Sequence, residues 1–283
     1  MNIGRFTIEQ LSEGFFELFE DGTFKKMDPS RLNNPGDDAS LGRYSSALGI
    51  DPLLISDGST KILVDPGLGW GLDHSSSYTD TSNVANNLEI FGLAPADISL
   101  VILTHLHYDH SAGCTYVDGD FKTQPTFPNA RYIVQKKEWD FALASQFELQ
   151  GAPGADYRLD ELYRLKAGNQ FEFIDGNYSP APGISLILSG GHTPGHQVVK
   201  IYDAGNTAYF LGDLIPTEYH LNHYAMKMID HSPVEAKKSK TLILKEAFRE
   251  QAQLFFYHSL FNKTGLLSKD RNRNYILKEI RKR

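Results

Sequence analysis

Within six residues, His105-Leu106-His107-Tyr108-Asp109-His110, the chain sets three imidazoles and a carboxylate directly behind the apolar run Ile98-Ser99-Leu100-Val101-Ile102-Leu103. Imidazole is the commonest protein ligand of zinc and its neighbours, and carboxylate complements it on a hard divalent ion. Four such groups at the end of a buried strand lose their hydration, and a bound cation is a compensation that all four can share. With ten histidines in 283 residues, chance does not readily gather three of them here, so the motif reads as a metal site rather than a polar turn. In an extended stretch alternate side chains point the same way, so His105 and His107 can grip one ion together. Asp109 continues that alternation, whereas His110 needs the chain to turn, for which Ser111-Ala112-Gly113 offers small residues that open a helix. Donors displaced to two sides suit two ions better than one, and two ions need further ligands from elsewhere.

Three later apolar runs each deliver a candidate. Ile184-Ser185-Leu186-Ile187-Leu188 reads as a strand leading into Gly190-Gly191-His192-Thr193-Pro194-Gly195-His196. Thr207-Ala208-Tyr209-Phe210-Leu211 leads into Gly212-Asp213, and Leu254-Phe255-Phe256-Tyr257 leads into His258. Functional groups at the carboxyl ends of strands are the habit of layered α/β folds. A lone histidine such as His258 is ordinarily a surface or core residue, and here the shared setting argues for a ligand.

These motifs, with Asp65 in Val64-Asp65-Pro66-Gly67, together resemble the metallo-β-lactamase superfamily over roughly residues 50 to 260. The resemblance implies an α/β fold, an αββα sandwich of two mixed β-sheets with helices on the outer faces, here expected as a single domain over residues 1–283. It implies that His105, His107 and His192 hold one ion, and that Asp109, His110 and His258 hold a second. Asp213 would bridge the two. His196 shares the segment of His192 and is left as a structural or supporting group. Asp65 and Thr104 are candidates for orienting the ligand imidazoles, beside their plainer reading as turn residues. The cofactor expected is two divalent metal ions, zinc first, with iron or manganese also compatible.

Around these motifs the elements alternate without a linker. Residues 52–64 read as a hairpin turning at Asp57-Gly58, and Arg131-Tyr132-Ile133-Val134 as a strand running into a helix from Lys136 to about Ser145. Gln170–Ile174 is another strand, Gln197–Tyr202 pairs with the strand before Asp213, and a helix spans 233 to about 250 with Pro233 at its start. Polar stretches near 20–45 and 74–87 are loop candidates able to line a pocket. A hydrophobic share of 41% supplies a sizeable core, and no stretch approaches the roughly 18 apolar residues of a membrane span. The N-terminus lacks the apolar segment of a secretory signal and Cys114 is the only cysteine, so a reducing cytoplasm is expected. Cys114 itself reads as a small buried apolar residue. The net charge of −7 argues against a nucleic-acid partner, and Lys278, Arg281, Lys282 and Arg283 read as a solvated tail.

A water between two divalent ions loses its proton near neutral pH, so the expected activity is hydrolysis by a metal-bridged hydroxide, with Asp109 as proton shuttle. Aspartate at position 213 departs from the β-lactamases proper. About 25 residues follow His258, fewer than the helical part that glutathione thioesterases add, and no basic RNA-gripping insertion is evident. The redox branch of the superfamily is disfavoured by His107 and by the lack of a flavin domain. The remaining resemblance is to lactonases and related esterases, including an organophosphate-cleaving branch, acting on a small-molecule substrate such as a lactone or carboxylic ester. A phosphodiester or phosphotriester hydrolase is the alternative, and a non-catalytic metal-binding module a more distant one. Quorum-sensing lactonases carry a tyrosine three residues beyond the bridging aspartate, where this chain has Pro216. Tyr219, His220, His223 and Tyr224 follow as candidates to reach the pocket, or as a polar connection.

Overall fold

Alternation of side chains along the apolar runs divides them between two buried faces, and that division builds the molecule. The structure, a computed structural model, describes residues 1–19, 24–27, 45–69, 83–148, 157–222, 227 and 229–278. One seven-stranded sheet runs in spatial order Asn2–Ile3, Phe6–Gln10, Leu53–Ser56, Lys61–Val64, Leu100–Ile102, Arg131–Gln135 and Phe171–Ile174. It is antiparallel on its N-terminal side and parallel from Lys61–Val64 onwards. The other runs Tyr178–Ala181, Ile184–Leu188, Gln197–Asp203, Asn206–Phe210, Gln253–Phe255, Thr264–Lys269 and Tyr275–Leu277, with one parallel pair, Asn206–Phe210 beside Gln253–Phe255.

Ile62, Val64, Leu100, Ile102 and Ile133 of the first sheet meet Ile184, Leu186, Val199, Ile201 and Phe210 of the second in one core. Their sequence neighbours Leu63, Val101, Tyr132 and Val134 point outward, where they are covered by α1 (Val84–Glu89), α3 (Lys136–Glu148) and α4 (Leu159–Ala167). Cys114 is buried in that outer cluster. Val198, Tyr209 and Leu254 point outward from the second sheet onto Ala236, Ile243, Leu244 and Ala247 of α5 (Pro233–Glu250). The order helix, sheet, sheet, helix is the expected αββα sandwich. A short α2 (Tyr108–Ser111) follows the strand Leu100–Ile102 of the first sheet.

Directions of the strands bring the candidate ligands to one edge. Ile184–Leu188, Asn206–Phe210 and Gln253–Phe255 run the same way, because an antiparallel strand separates the first two and the last two pair in parallel. There the sheets are joined by Gln197, whose amide donates to Thr104 O at 2.9 Å and whose Nε2 donates to Leu103 O at 2.8 Å. Gln135 Nε2 in turn donates to Gln197 Oε1 at 2.8 Å.

Several local expectations need correction. Asp109 does not continue an extended alternation: α2 begins at Tyr108, before the small residues expected to open it. His107 O already accepts the amides of His110 and Ser111 and the Ser111 hydroxyl, which closes the turn at once. The strand before His258 ends at Phe255, short of the full apolar run, although Phe256 still gives its amide to Lys263 O in the register of the neighbouring strand. Of the expected loops, Phe24–Lys26 is a strand paired with Gly14–Phe19, and Val84–Glu89 is α1, capped by the Asn83 side chain. The remainder, 20–23, 28–44 and 74–82, lies outside the described residues. Among the described residues no helix is long and apolar enough to cross a membrane.

Backbone closeness holds the turn after Asp65 against the α2 segment: Gly113 N donates to Gly67 O at 2.8 Å, and a Cβ on Gly113 would lie 2.2 Å from Pro66 O. Gly113→Ala should therefore destabilise the fold by about 1–3 kcal/mol. A urea midpoint unchanged from that of the parent protein would contradict this packing.

Candidate metal centre

The strand ends converge on two clusters and a third group that overlaps both. His105, His107 and His192 place one ligand atom each within 4.8 Å of one another, as do Asp109, His110 and His258, and as do His105, His110 and Asp213. His105 Nε2 lies 3.0 Å from His107 Nδ1, which is 3.1 Å from His192 Nε2. Asp213 stands between the clusters: Oδ2 is 3.3 Å from His192 Nε2, while Oδ1 is 3.2 Å from His258 Nε2 and 3.4 Å from His110 Nε2. Asp109 Oδ2 is 3.4 Å from His258 Nε2.

Partners behind the imidazoles decide which way each lone pair faces. His258 Nδ1 meets Gly49 O at 2.8 Å, His110 Nδ1 meets Asp65 Oδ2 at 2.8 Å, and His192 Nδ1 meets Asp230 Oδ1 at 3.1 Å. Carbonyl and carboxylate oxygens only accept, so in the neutral ring these Nδ1 atoms carry the proton and each Nε2 turns its lone pair inward. His105 is oriented in the same way: Thr104 Oγ1 gives its proton to Asp65 Oδ2 at 2.6 Å and so accepts from His105 Nδ1 at 3.0 Å. Asp65 also accepts the Thr104 amide at 2.7 Å, and it does so from a left-handed backbone, φ 49°. A non-glycine residue in that region is uncommon, and here it turns the carboxylate onto Thr104 and His110 together.

His196 differs. Its Nε2 accepts the Asp213 amide at 3.0 Å, so its lone pair is already used, and its Nδ1 donates to Ser189 Oγ at 2.7 Å. The ring supports the backbone of Asp213 from behind.

Burial and charge separate the clusters electrostatically. Desolvation, with like-charge neighbours, drives His105 and His107 well below the ordinary imidazole range and His192 down to about 3. These rings are neutral at pH 7, the form that binds metal. Burial also works against charging His110 and His258, but there the carboxylates win: Asp109, Asp65 and Asp213 raise His110 well above its ordinary value, and Asp213 with Asp109 raises His258. Asp213 is likewise held ionised against burial by His258 and His110. A field that favours an extra proton there favours any cation. His110 Nε2 and Asp213 Oδ1 are buried without a hydrogen-bonding partner, and a shared cation would satisfy both. The donor set of imidazoles and carboxylates fits a pair of divalent ions.

Not every candidate arrives at the clusters. Tyr219 is 71% exposed, and His220 is bonded to Thr217 Oγ1 at 2.7 Å and lines a small cavity with Lys227, Asp230 and Lys240. His223 and Tyr224 lie outside the described residues. Sequence reading missed Asp230, which no strand end or motif marks, and Tyr257, whose ring stacks 4.0 Å from that of His110 and whose hydroxyl donates to Asp109 O at 2.6 Å. It also missed Lys227, which donates to Asp213 O and pairs with Asp230 at 2.9 Å.

The family model for the metallo-beta-lactamase superfamily matches residues 47–247. The chain belongs to that superfamily. A probable metal-dependent hydrolase from Staphylococcus aureus has a similar structure, at 25% identity and TM-score 0.75 over 99% of each chain. AidC, a dizinc quorum-quenching lactonase, superposes with TM-score 0.72 at 22% identity over 100% of this chain and 97% of its own. An N-acyl homoserine lactonase from Bacillus cereus is 25% identical over 230 residues, 72% of this chain and 78% of that one. A lactonase from Bacillus sp aligns over only 40% of its own length. Among its relatives, this superfamily member stands with hydrolases.

The geometry distinguishes the two histidines of the 190–196 segment. His192→Ala should lower zinc affinity by orders of magnitude, whereas His196→Ala should lower it by about 10–100-fold, the scale of a supporting partner. Equilibrium dialysis against zinc ranks them, and the reverse order would exchange their roles. Asp65→Ala, which strips His110 and Thr104 of their acceptor, should also weaken zinc by about 10–100-fold.

Proposed function

We infer that this protein is a dinuclear metal-dependent hydrolase of lactones or simple carboxylic esters. The observation that carries the reading is the position of Asp213, whose two oxygens face different clusters, with Oδ2 toward His192 and Oδ1 toward His110 and His258. His105, His107 and His192 would hold one ion, Asp109, His110 and His258 the other, with Asp213 common to both. When bound, divalent ions supply Lewis acidity and make hydroxide available at neutral pH. Zinc suits the predominance of imidazole, and iron or manganese would also accept the donors.

The chain's own groups then have distinct tasks. Asp109 is the most exposed carboxylate of the clusters, at 13% against 8% for Asp213, and is the one able to exchange protons with substrate. It takes the proton released as water adds to the carbonyl carbon, and returns it to the alcohol oxygen as the C–O bond breaks. Burial raises its carboxyl pKa, with the charges of His110 and His258 opposing, which favours proton uptake. The Tyr257 hydroxyl fixes its backbone, and His196 fixes that of Asp213. The lactonases among the relatives support a cyclic ester as substrate, and a small neutral carbonyl compound fits a chain of net charge −7 better than a polyanion.

Two measurements test this. Asp213→Ala should lower zinc stoichiometry from two towards one or none and abolish turnover; a folded variant retaining two ions and full activity rejects the shared carboxylate. In a panel of lactones, aryl esters, phosphodiesters and phosphotriesters, the carbonyl substrates should have the higher kcat/KM. A preference of tenfold or more for a phosphorus ester, about 1.4 kcal/mol in the transition state, would favour the alternative instead.

A further inference from the structure

Glu138 belongs to neither cluster, yet its wholly buried carboxylate joins the chain segments that carry the first one. It is the third residue of α3, directly after the strand Arg131–Gln135. Its Oε1 accepts the Leu106 amide at 3.0 Å and the Tyr157 hydroxyl at 3.3 Å. Its Oε2 accepts the Thr193 hydroxyl at 2.6 Å and the Gly195 amide at 3.1 Å. Leu106 stands between His105 and His107, and Thr193 follows His192. One carboxylate therefore grips both loops whose imidazoles meet at 3.1 Å, His107 Nδ1 against His192 Nε2. Tyr157 adds a third hold, since its backbone bridges to His107 and its ring lies 4.9 Å from the His107 ring.

The chemistry of the grip is specific. All four groups can donate to it, two through each oxygen, and only a carboxylate offers acceptors on both sides. A glutamine would keep the shape but turn an NH2 toward the Gly195 amide, setting donor against donor. Glycine at 195 is also required by closeness, as a Cβ there would lie 2.3 Å from the Glu138 amide nitrogen. The second cluster has other supports: His110 hangs on Asp65, and His258 on Gly49.

We propose that Glu138 is a positioning residue that sets the spacing of the first cluster, His105, His107 and His192, and not that of the second. This rests on the two-ion reading given above. Two single-cluster backgrounds test it: His258→Ala, which disables the second cluster, and His192→Ala, which disables the first. Zinc affinity is read by competition with a chromophoric chelator, on protein whose fold is checked by circular dichroism. In His258→Ala, adding Glu138→Gln lowers zinc affinity by about 10–100-fold. In His192→Ala the same change alters it by less than about twofold, as independent sites should behave. Equal losses in both backgrounds mean a general weakening of the fold, and no loss in the first means the grip does not set the spacing; each overturns the proposal. Should Glu138→Gln not fold, Thr193→Val removes one donor and keeps the carboxylate. The same asymmetry is then expected at about tenfold, and its absence is equally decisive. An unsubstituted protein that takes up no zinc overturns the functional reading along with this one, whereas two bound zinc ions with symmetric losses overturn this one alone.

Discussion

Five imidazoles and two carboxylates at the edge of an apolar sandwich carry a desolvation cost that dominates the design of this protein. The cost is tolerable only if every outward-facing polar atom has a partner and the inward-facing ones share a compensating charge. That requirement explains why Asp65, Thr104, Asp230 and Gly49 stand where they do, each accepting from the far nitrogen of one ring. It also explains the left-handed turn at Asp65, since no relaxed backbone is needed if three hydrogen bonds hold the strained one. A ring whose back is fixed cannot rotate away from its neighbours, so pre-organisation of the lone pairs and satisfaction of the buried donors are the same interactions.

The two sheets divide the work. The first supplies His105, His107, Asp109 and His110 from one turn, and the second supplies His192, Asp213 and His258 from three separate strand ends. Neither sheet has a complete cluster, so the relative placement of the sheets matters more than the geometry of either. Direct bonds at the shared edge control that placement. Gln197 reaches Leu103 and Thr104, and Glu138 reaches Leu106, Thr193 and Gly195. Side-chain amides and carboxylates suit this task because they are directional, whereas the apolar contacts between the sheets tolerate small slides.

Beyond Asp213 the chain is held by cations instead. Lys240 of α5 donates to His220 O and Asn222 O, and Lys227 reaches Asp213 O while pairing with Asp230. Burial, with the like charge of Lys227, lowers the Lys240 amine to about 8, so those carbonyls replace only part of the hydration it has lost. The segment where the sequence suggested substrate contacts is thus tied from below by lysines. His220 is drawn into that arrangement, and Tyr219 is turned to solvent.

Much of this was written in local patterns. Short unbroken apolar runs in Lys61–Val64 and Leu100–Ile102 specify strands buried on both faces, Asp57-Gly58 and Pro233 mark a turn and a helix start, and the donors follow their strands at short, regular distances. These are effects of neighbours within a few residues, which is the range over which a sequence states its physics directly. The early start of α2 escaped because turn hydrogen bonds to His107 O overrode the local pattern. The supports of the clusters were out of reach for a stronger reason. Gly49 and His258 are 209 residues apart, Glu138 and Thr193 are 55 apart, and Asp230 and His192 are 38 apart, with no periodicity linking them. The sequence by itself named the imidazoles and carboxylates that the fold brings together, and the apolar runs that become its central strands. Only the folded chain decided which nitrogen of each histidine faces inward, because that depends on the hydrogen-bond partner that packing brings behind each ring.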